Sequence, residues 1–337
     1  TTGRSQNWYL EGRINYDRSF GYHKVGALVL YNQSRNYYPS TYTYIPRSYL
    51  GLVGRVTYSY MTKYLLDVNV GYNGSENFAP GKTRFGLFPS FSAGWVMSAE
   101  NFMAGQKVFS YLKLRASWGR VGSDTGVSTR FMYMPSIWSE SGSYSFGTSN
   151  PDNSPAFAVS RVGNSLVTWE TADKTNVGID AKFLDNRLSL IADWFFEDRK
   201  GILITPESTP AIIATTSPDL NIGQVENQGY EIALSWSDIT AGGFSYFADA
   251  NVSFARNRII NMDEVPKQYD YMNQTGGSTG RHTGLYEYIR LYQYSDFIQN
   301  ADGSLTLNPD LPQPYQKVYP GDAMYADKNG DGHVDGD

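Results

Sequence analysis

The sequence predicts an all-β fold, a transmembrane antiparallel β-barrel, and three observations carry that prediction. Ten stretches alternate apolar and polar side chains with a period of two, the signature of strands with one face in an apolar medium. These stretches run about 10 to 12 residues, longer than the usual strand of about 5 or 6 and close to the roughly 9 to 11 that cross a bilayer at a tilt. The links between them alternate short and long throughout.

The alternation is clear from the start. Trp8, Leu10, Gly12, Ile14 and Tyr16 face away from Tyr9, Glu11, Arg13, Asn15 and Asp17. Leu50, Leu52, Val56, Tyr58 and Tyr60 oppose Arg55, Thr57 and Ser59; Leu66, Val68, Val70 and Tyr72 oppose Asp67, Asn69, Gly71 and Asn73. Leu112, Leu114, Ala116 and Trp118 oppose Lys113, Arg115 and Ser117, and Val177, Ile179, Ala181 and Phe183 oppose Asn176, Asp180 and Lys182. Leu188, Leu190, Ala192, Trp194 and Phe196 oppose Ser189, Asp193 and Glu197, and the pattern closes with Tyr230 to Trp236 and Phe244 to Phe254. Aromatic residues gather near strand ends, as Tyr58 with Tyr60, Trp118, Trp194 with Phe196 and Trp236 do, where a membrane barrel carries its interfacial girdles.

The links separate a barrel from a soluble sandwich. They run 17–21 then 32–48, 61–63 then 74–86, 99–110 then 121–173, 185–187 then 198–228, and 238–243 then 257 onward. A sandwich has no reason to put every long loop on one side, whereas an outer-membrane barrel has short periplasmic turns and longer extracellular loops. Strands are therefore expected within 7–256, followed by a long extracellular loop over 257–337. Ten strands could close on themselves or form part of a wider barrel, since period alone does not separate the two.

Composition agrees and excludes other classes. The chain has 27 Tyr, 17 Phe, 7 Trp and 33 Gly in 337 residues. Its mean hydropathy of -0.43, with no run of about 18 uncharged apolar residues, is unlike helical membrane spans. The absence of Cys excludes disulfides and thiolate metal sites, and a net charge of -5 offers no basic footprint for nucleic acid. His23, His282 and His333 lie far apart with no His-x-x-x-His spacing, and no P-loop or dinucleotide fingerprint is present. The inward charges Arg13, Arg55, Asp67, Lys113, Arg115, Asp180, Lys182 and Asp193 read as ion pairs of a wet interior, not as catalytic pairs.

One motif points to a metal. DKNGDGHVDGD at the end of the chain follows the first nine positions of a calcium loop: oxygen ligands at Asp327, Asn329 and Asp331, the turn at Gly332, the His333 carbonyl, and Asp335 through water. The acid of the twelfth position would be the residue after Asp337. The competing account is an ordinary turn, because Asp and Asn bond their own backbone and Gly accepts positive φ.

The stretches GKTRFGLFPSFSAGWVMSAENF (81–102), YLKLRASWGRVG (111–122), WETADKTNVGIDAKFLDNRLSLIADWFFEDRKGILI (169–204), NIGQVENQGYEIALSW (221–236) and PGDAMYADKNGDGHVDGD (320–337) resemble the SusC/RagA family of TonB-dependent outer-membrane transporters. The resemblance implies a plugged barrel of the 22-stranded type of which this chain is a partial segment. It implies that the signal, the TonB-contacting segment (TonB box), the plug and the last barrel strands lie outside the chain. It further implies TonB as energy source, a SusD-like surface lipoprotein as partner, and oligosaccharide or peptide as substrate. A surface adhesin or scaffold is the competing function. The tyrosine-rich stretch 32–49, with Tyr37, Tyr38, Tyr42 and Tyr44, and the run 284–297, with Tyr286 and Tyr288, are the candidate substrate or lipoprotein contacts, since flat rings stack on sugars and pack on proteins.

Overall fold

The structure, a computed structural model, describes residues 5–37, 46–126, 130–134, 139–147, 152–158, 162–210, 217–281, 285–314 and 316–334. The chain divides into two compact units, Thr1–Glu264 and Val265–Asp337.

The first unit is built on strands β1 (Gln6–Phe20), β2 (His23–Tyr37), β3 (Arg47–Tyr60), β4 (Tyr64–Ser75), β5 (Phe85–Val96) and β6 (Phe109–Ser123). A separate hairpin of β7 (Ser139–Phe146) and β8 (Asp152–Ala158) follows, then β9 (Glu170–Phe183), β10 (Leu188–Ile204), β11 (Leu220–Ile239) and β12 (Ser245–Asn261). Ten strands form one antiparallel sheet in the order β1-β2-β3-β4-β5-β6-β9-β10-β11-β12. The order is open: among the described residues β1 and β12 do not pair, so the ten do not close on themselves.

The strands are longer than expected, from 12 residues in β4 to 20 in β11. Alternation stops being readable where polar residues occupy both faces near the long links, yet the ladder continues there.

Register carries the two faces across the whole sheet. One row runs Val25, Tyr58, Leu66, Ala93, Ala116, Val177, Trp194, Tyr230 and Phe254 from β2 to β12. Its neighbour, one residue along each strand, runs Lys24, Ser59, Leu65, Gly94, Arg115, Gly178, Asp193, Glu231 and Ser253 on the other face. A slip of one residue would exchange every side chain between faces, so the pattern fixes the pairing strongly. The apolar face stays exposed: Ile14, Val56, Leu66, Val177 and Val252 are all open. Its height suits lipid. Leu50 and Tyr60 of β3 lie ten residues apart, about 33 Å along a strand at ~3.3 Å per residue; at a tilt of about 40° that covers a band of about 25 Å.

Turns at one end are tight. Gly21 and Tyr22 join β1 to β2, with Gly21 in the left-handed region at φ 58°. Asp185 and Asn186, residue types that tolerate this conformation, take φ 55° and 69° between β9 and β10. The link between β5 and β6 is the exception: it winds through two 3-10 turns, Met97–Ala99 and Asn101–Met103. Glu100 holds it, accepting from the Trp95 indole at 3.1 Å and the Lys63 ammonium at 3.4 Å.

The second unit is more than an irregular loop. It contains β13 (Tyr288–Leu291), β14 (Phe297–Gln299), β15 (Leu305–Leu307), β16 (Gln313–Pro314), β17 (Ala323–Tyr325) and β18 (His333–Val334). Tyr292, Phe297 and Met324 form its core, with Leu305, Leu307, Leu311 and Val318 packed against them. The stretch 257–337, expected as one long loop, therefore divides: its first residues continue β12 to Asn261, and described residues of the second unit pack on this core.

A charge placed on the two faces should have unequal effects. In the barrel containing this segment, Val68→Arg should destabilise insertion by about 2–4 kcal/mol and Asn69→Arg by under about 1 kcal/mol, measured by urea titration in vesicles. Equal effects would remove the assignment of faces.

Candidate functional site

The polar face of the sheet supplies the first candidate surface. Arg115 on β6 lies between two carboxylates of different strands: Nε donates to Asp180 Oδ1 at 3.0 Å and Nη2 to Asp193 Oδ2 at 2.6 Å. Nη1 also reaches Asn176 Oδ1 at 3.4 Å. Gly178 makes the crossing possible, since a Cβ there would lie 2.6 Å from Asp193 Oδ1 and 2.7 Å from Arg115 Cζ. Arg55 pairs with Asp67 on the same face. Nearer the long links, Lys174 and Arg199 both bond Glu197, and Arg199 also bonds Glu170. A groove of about 490 Å³ runs along this face, lined by Lys24, Thr57, Asp67, Ser92, Lys113 and Arg115. Asp193 Oδ1 is buried beside it without a hydrogen-bond donor. Of the inward charges expected from alternation, Arg55, Asp67, Arg115, Asp180 and Asp193 are brought together as ion pairs.

The second surface was not visible in the sequence. At the long-link end, Phe78 and Val167 are fully buried and pack with Met132 and Trp169, against Phe88, Tyr133 and Leu203. Phe78 and Phe88 meet the Trp169 ring at centroid distances of 5.1 and 5.2 Å. Polar side chains then satisfy the loop backbone, as burial demands. Trp169 Nε1 donates to the Arg84 carbonyl at 3.2 Å, and Arg84 donates twice to the Phe78 carbonyl at 3.1 Å. Asn221 accepts from Thr168 N–H at 2.9 Å and donates to the carbonyls of Thr168 and Gly201 at 2.9 and 2.7 Å. Arg130, 8% exposed, ties Glu76 at 2.7 Å to the Pro46 carbonyl at 2.6 Å. Residues of four long links, 32–48, 74–86, 121–173 and 198–228, are thus bound into one platform. Nothing local marks Phe78, Val167 and Trp169, since the link 121–173 carries many other apolar residues.

The predicted tyrosines divide. Tyr37 ends β2, opposite Gln6, while Tyr38, Tyr42 and Tyr44 lie outside the described residues. Tyr286 and Tyr288 are exposed in the second unit. Tyr286 packs on Tyr325 at 5.4 Å, and Tyr288 lies opposite Tyr325 in the β13–β17 pair. Beneath them Arg290 forks onto Asp296 at 2.6 and 2.9 Å.

The Asp-rich loop is a compact turn. Asp327 accepts from Gly330 N–H at 2.7 Å and from Gly332 N–H at 2.8 Å; Asn329 accepts from Asp331 N–H and Asp331 from His333 N–H. These backbone donors, Gly332 first, hold the Asp327 carboxyl below the usual carboxylate range. Gly330 and Gly332 take φ 75° and 87°, which only glycine adopts without strain. Lys328 pairs with Glu287, and Gln313 N–H bonds the Gly332 carbonyl at 2.8 Å, joining β16 to β18. Asp335 lies outside the described residues. Among the described residues no three His, Asp or Glu side chains converge as a metal-binding group. The oxygen donors Asp327, Asn329 and Asp331 nevertheless suit a hard cation by their chemistry.

Apolar and polar faces continuous over a ten-stranded sheet define a β-barrel membrane protein. The family model described as TonB dependent receptor-like, beta-barrel, matches residues 1–336, and the chain belongs to that family. It is 26% identical to the TonB-dependent receptor P3 of Formosa agariphila over 97% of this chain and 35% of that protein. To the TonB-dependent receptor SusC of Bacteroides thetaiotaomicron it is 28% identical, over 84% of this chain and 27% of that protein. The chain thus spans about a third of the length of these curated relatives. In fold it is similar to the RagAB peptide importer in its closed-closed state, with a TM-score of 0.67 at 17% identity, over 97% of this chain and 38% of that one.

Removing the Arg130 tie should loosen the platform without touching the sheet. Arg130→Met leaves Glu76 without its cation and should cost about 3 kcal/mol locally. Hydrogen exchange should accelerate over 76–84 while β9 and β10 keep their protection; unchanged exchange at 76–84 would show that the tie is dispensable.

Proposed function

We propose that the chain is the barrel segment of an outer-membrane nutrient importer that draws on TonB for energy and works with a SusD-like surface lipoprotein. Substrate docks at the long-link end, which we take to be extracellular, and passes along the polar face when the plug is displaced. We read the role as non-enzymic, because the named relatives are TonB-dependent receptors. The observation that carries the reading is the combination of a lipid-suited outer face with a charged, grooved inner face in a chain of the TonB-dependent receptor family.

Oligosaccharide is the proposed cargo, as the family resemblance of the sequence implies, and exposed rings at Tyr286 and Tyr288 can stack on sugars. Calorimetric titration of the full-length receptor with its lipoprotein should show saturable binding of oligosaccharides and none of peptides. Binding of peptides alone would replace the cargo, and binding of neither would sink the importer.

A structural calcium ion is proposed for the loop around Gly332, held by Asp327, Asn329, Asp331, the His333 carbonyl and Asp335. Bound there, it would neutralise the carboxylates and brace the turn. Because the Asp327 carboxyl is held low, it stays ionised until the pH falls below the ordinary range of about 4. Terbium luminescence of the full-length receptor should therefore saturate at neutral pH, compete with calcium, fade only below about pH 4 and vanish in Asp327→Ala/Asp331→Ala. An unchanged signal in that variant would leave a plain turn.

A further inference from the structure

Three tyrosines meet on one face of the β13–β17 ribbon in the second unit. Tyr288 lies opposite Tyr325 in the register and Arg290 opposite Met324, with a bulge at Ile289 taking up the extra residue. Met324 is buried in the core with Tyr292 and Phe297, so Tyr325, one residue on, points to the other side of the ribbon. The Tyr286 ring packs on Tyr325 with centroids 5.4 Å apart and planes at 46°. Tyr325, reached only through strand pairing, thus joins Tyr286 to Tyr288.

The segments that carry these rings are fastened to each other beside them. Ala326 N–H donates to the Glu287 carbonyl at 2.8 Å, and the Lys328 ammonium pairs with the Glu287 carboxylate. Both charged side chains are open to solvent, so the pair adds little to stability. Its place matters more: Glu287 stands between Tyr286 and Tyr288 in the chain, and Lys328 follows Tyr325 by three residues. A sugar presents C–H groups on its ring face and hydroxyls on its edge. Aromatic faces stack on the first, while a carboxylate accepts from a hydroxyl and an ammonium donates to one.

The local charge narrows the class of sugar. Lys328 is balanced by Glu287 and Arg290 by Asp296, and Asp327 and Asp331 stand one and three residues from Lys328. Lys328 and Arg290 are therefore both engaged, and an acidic sugar meets like charge from the aspartates, which disfavours it. We propose that Tyr286, Tyr288 and Tyr325, with Glu287 and Lys328 at their margin, form a binding subsite for a neutral oligosaccharide. Lys328 is a positioning residue as well as a donor, since its bond to Glu287 ties the Tyr286 segment to that of Tyr325. The subsite rests on the oligosaccharide reading of the cargo and narrows it to uncharged sugars.

The test is calorimetric titration of the full-length receptor with its lipoprotein, using maltohexaose, cellohexaose, mannohexaose and hexagalacturonate. At least one neutral hexasaccharide should bind, and more tightly than hexagalacturonate. Tyr325→Ala should weaken that binding about tenfold, whereas Tyr325→Phe should keep it, because stacking uses the ring face. Lys328→Met should weaken it about threefold and Lys328→Arg should restore it. Lys328→Met leaves the core at Tyr292 and Met324 untouched, so its effect is separate from any loss of fold in Tyr325→Ala. Tyr269→Ala, whose ring stacks on Tyr271 instead, should change nothing. Parent affinity in Tyr325→Ala and Lys328→Met would overturn the subsite while leaving the oligosaccharide cargo standing. Tighter binding of hexagalacturonate would overturn the neutral class. Binding of no hexasaccharide by the parent would overturn cargo and subsite together.

Discussion

The constraint on which the large unit depends is the pairing of backbone groups between strands inside an apolar slab. No water is available there to satisfy an N–H or carbonyl, so the ladder must be continuous across the membrane. Alternation then follows, because successive residues of a paired strand point to opposite faces. The row from Val25 to Phe254 and the row from Lys24 to Ser253 are two consequences of one pairing. The same constraint bears on the edges. β1 and β12 carry long apolar-faced edges, and an open edge in hydrocarbon leaves backbone groups unsatisfied, so these edges require further strands as partners.

Once the slab is established, the polar face can carry charge at modest cost. Arg115, Asp180 and Asp193 sit on three neighbouring strands and are partly open, so each pair contributes little to stability by itself. Their effect is geometric: the pairs hold side chains against the wall and leave a groove beside Lys24 and Lys113. The loop platform works differently. Phe78, Val167 and Trp169 form a small dry core in an aqueous zone, and Arg84, Arg130 and Asn221 satisfy the carbonyls that the core buries.

Much of this was legible in the sequence. The faces of β3, β4, β9 and β10 were readable because period two is a local property, and Leu66 against Asp67 states it within two residues. The turn at Gly332 was equally readable, since Asp and Asn accept from backbone N–H groups two to five residues ahead. The loop core was not, because Phe78 and Trp169, 91 positions apart, meet across an interval that no local pattern describes. Nor was the choice made by Asp180, which lies opposite Lys113 in the register yet bonds Arg115.

By itself, then, the sequence determined which side of each strand meets lipid, where the chain turns, and the acidic loop chemistry around Asp327. The tertiary structure decided the open ten-strand order, the separate core at Tyr292, Phe297 and Met324, the sharing of Arg115, and the platform around Trp169. The physical reason is range. Alternation and turn preference act within a few residues, whereas packing and ion-pair choice depend on strands distant in sequence, and only the completed register sets them side by side.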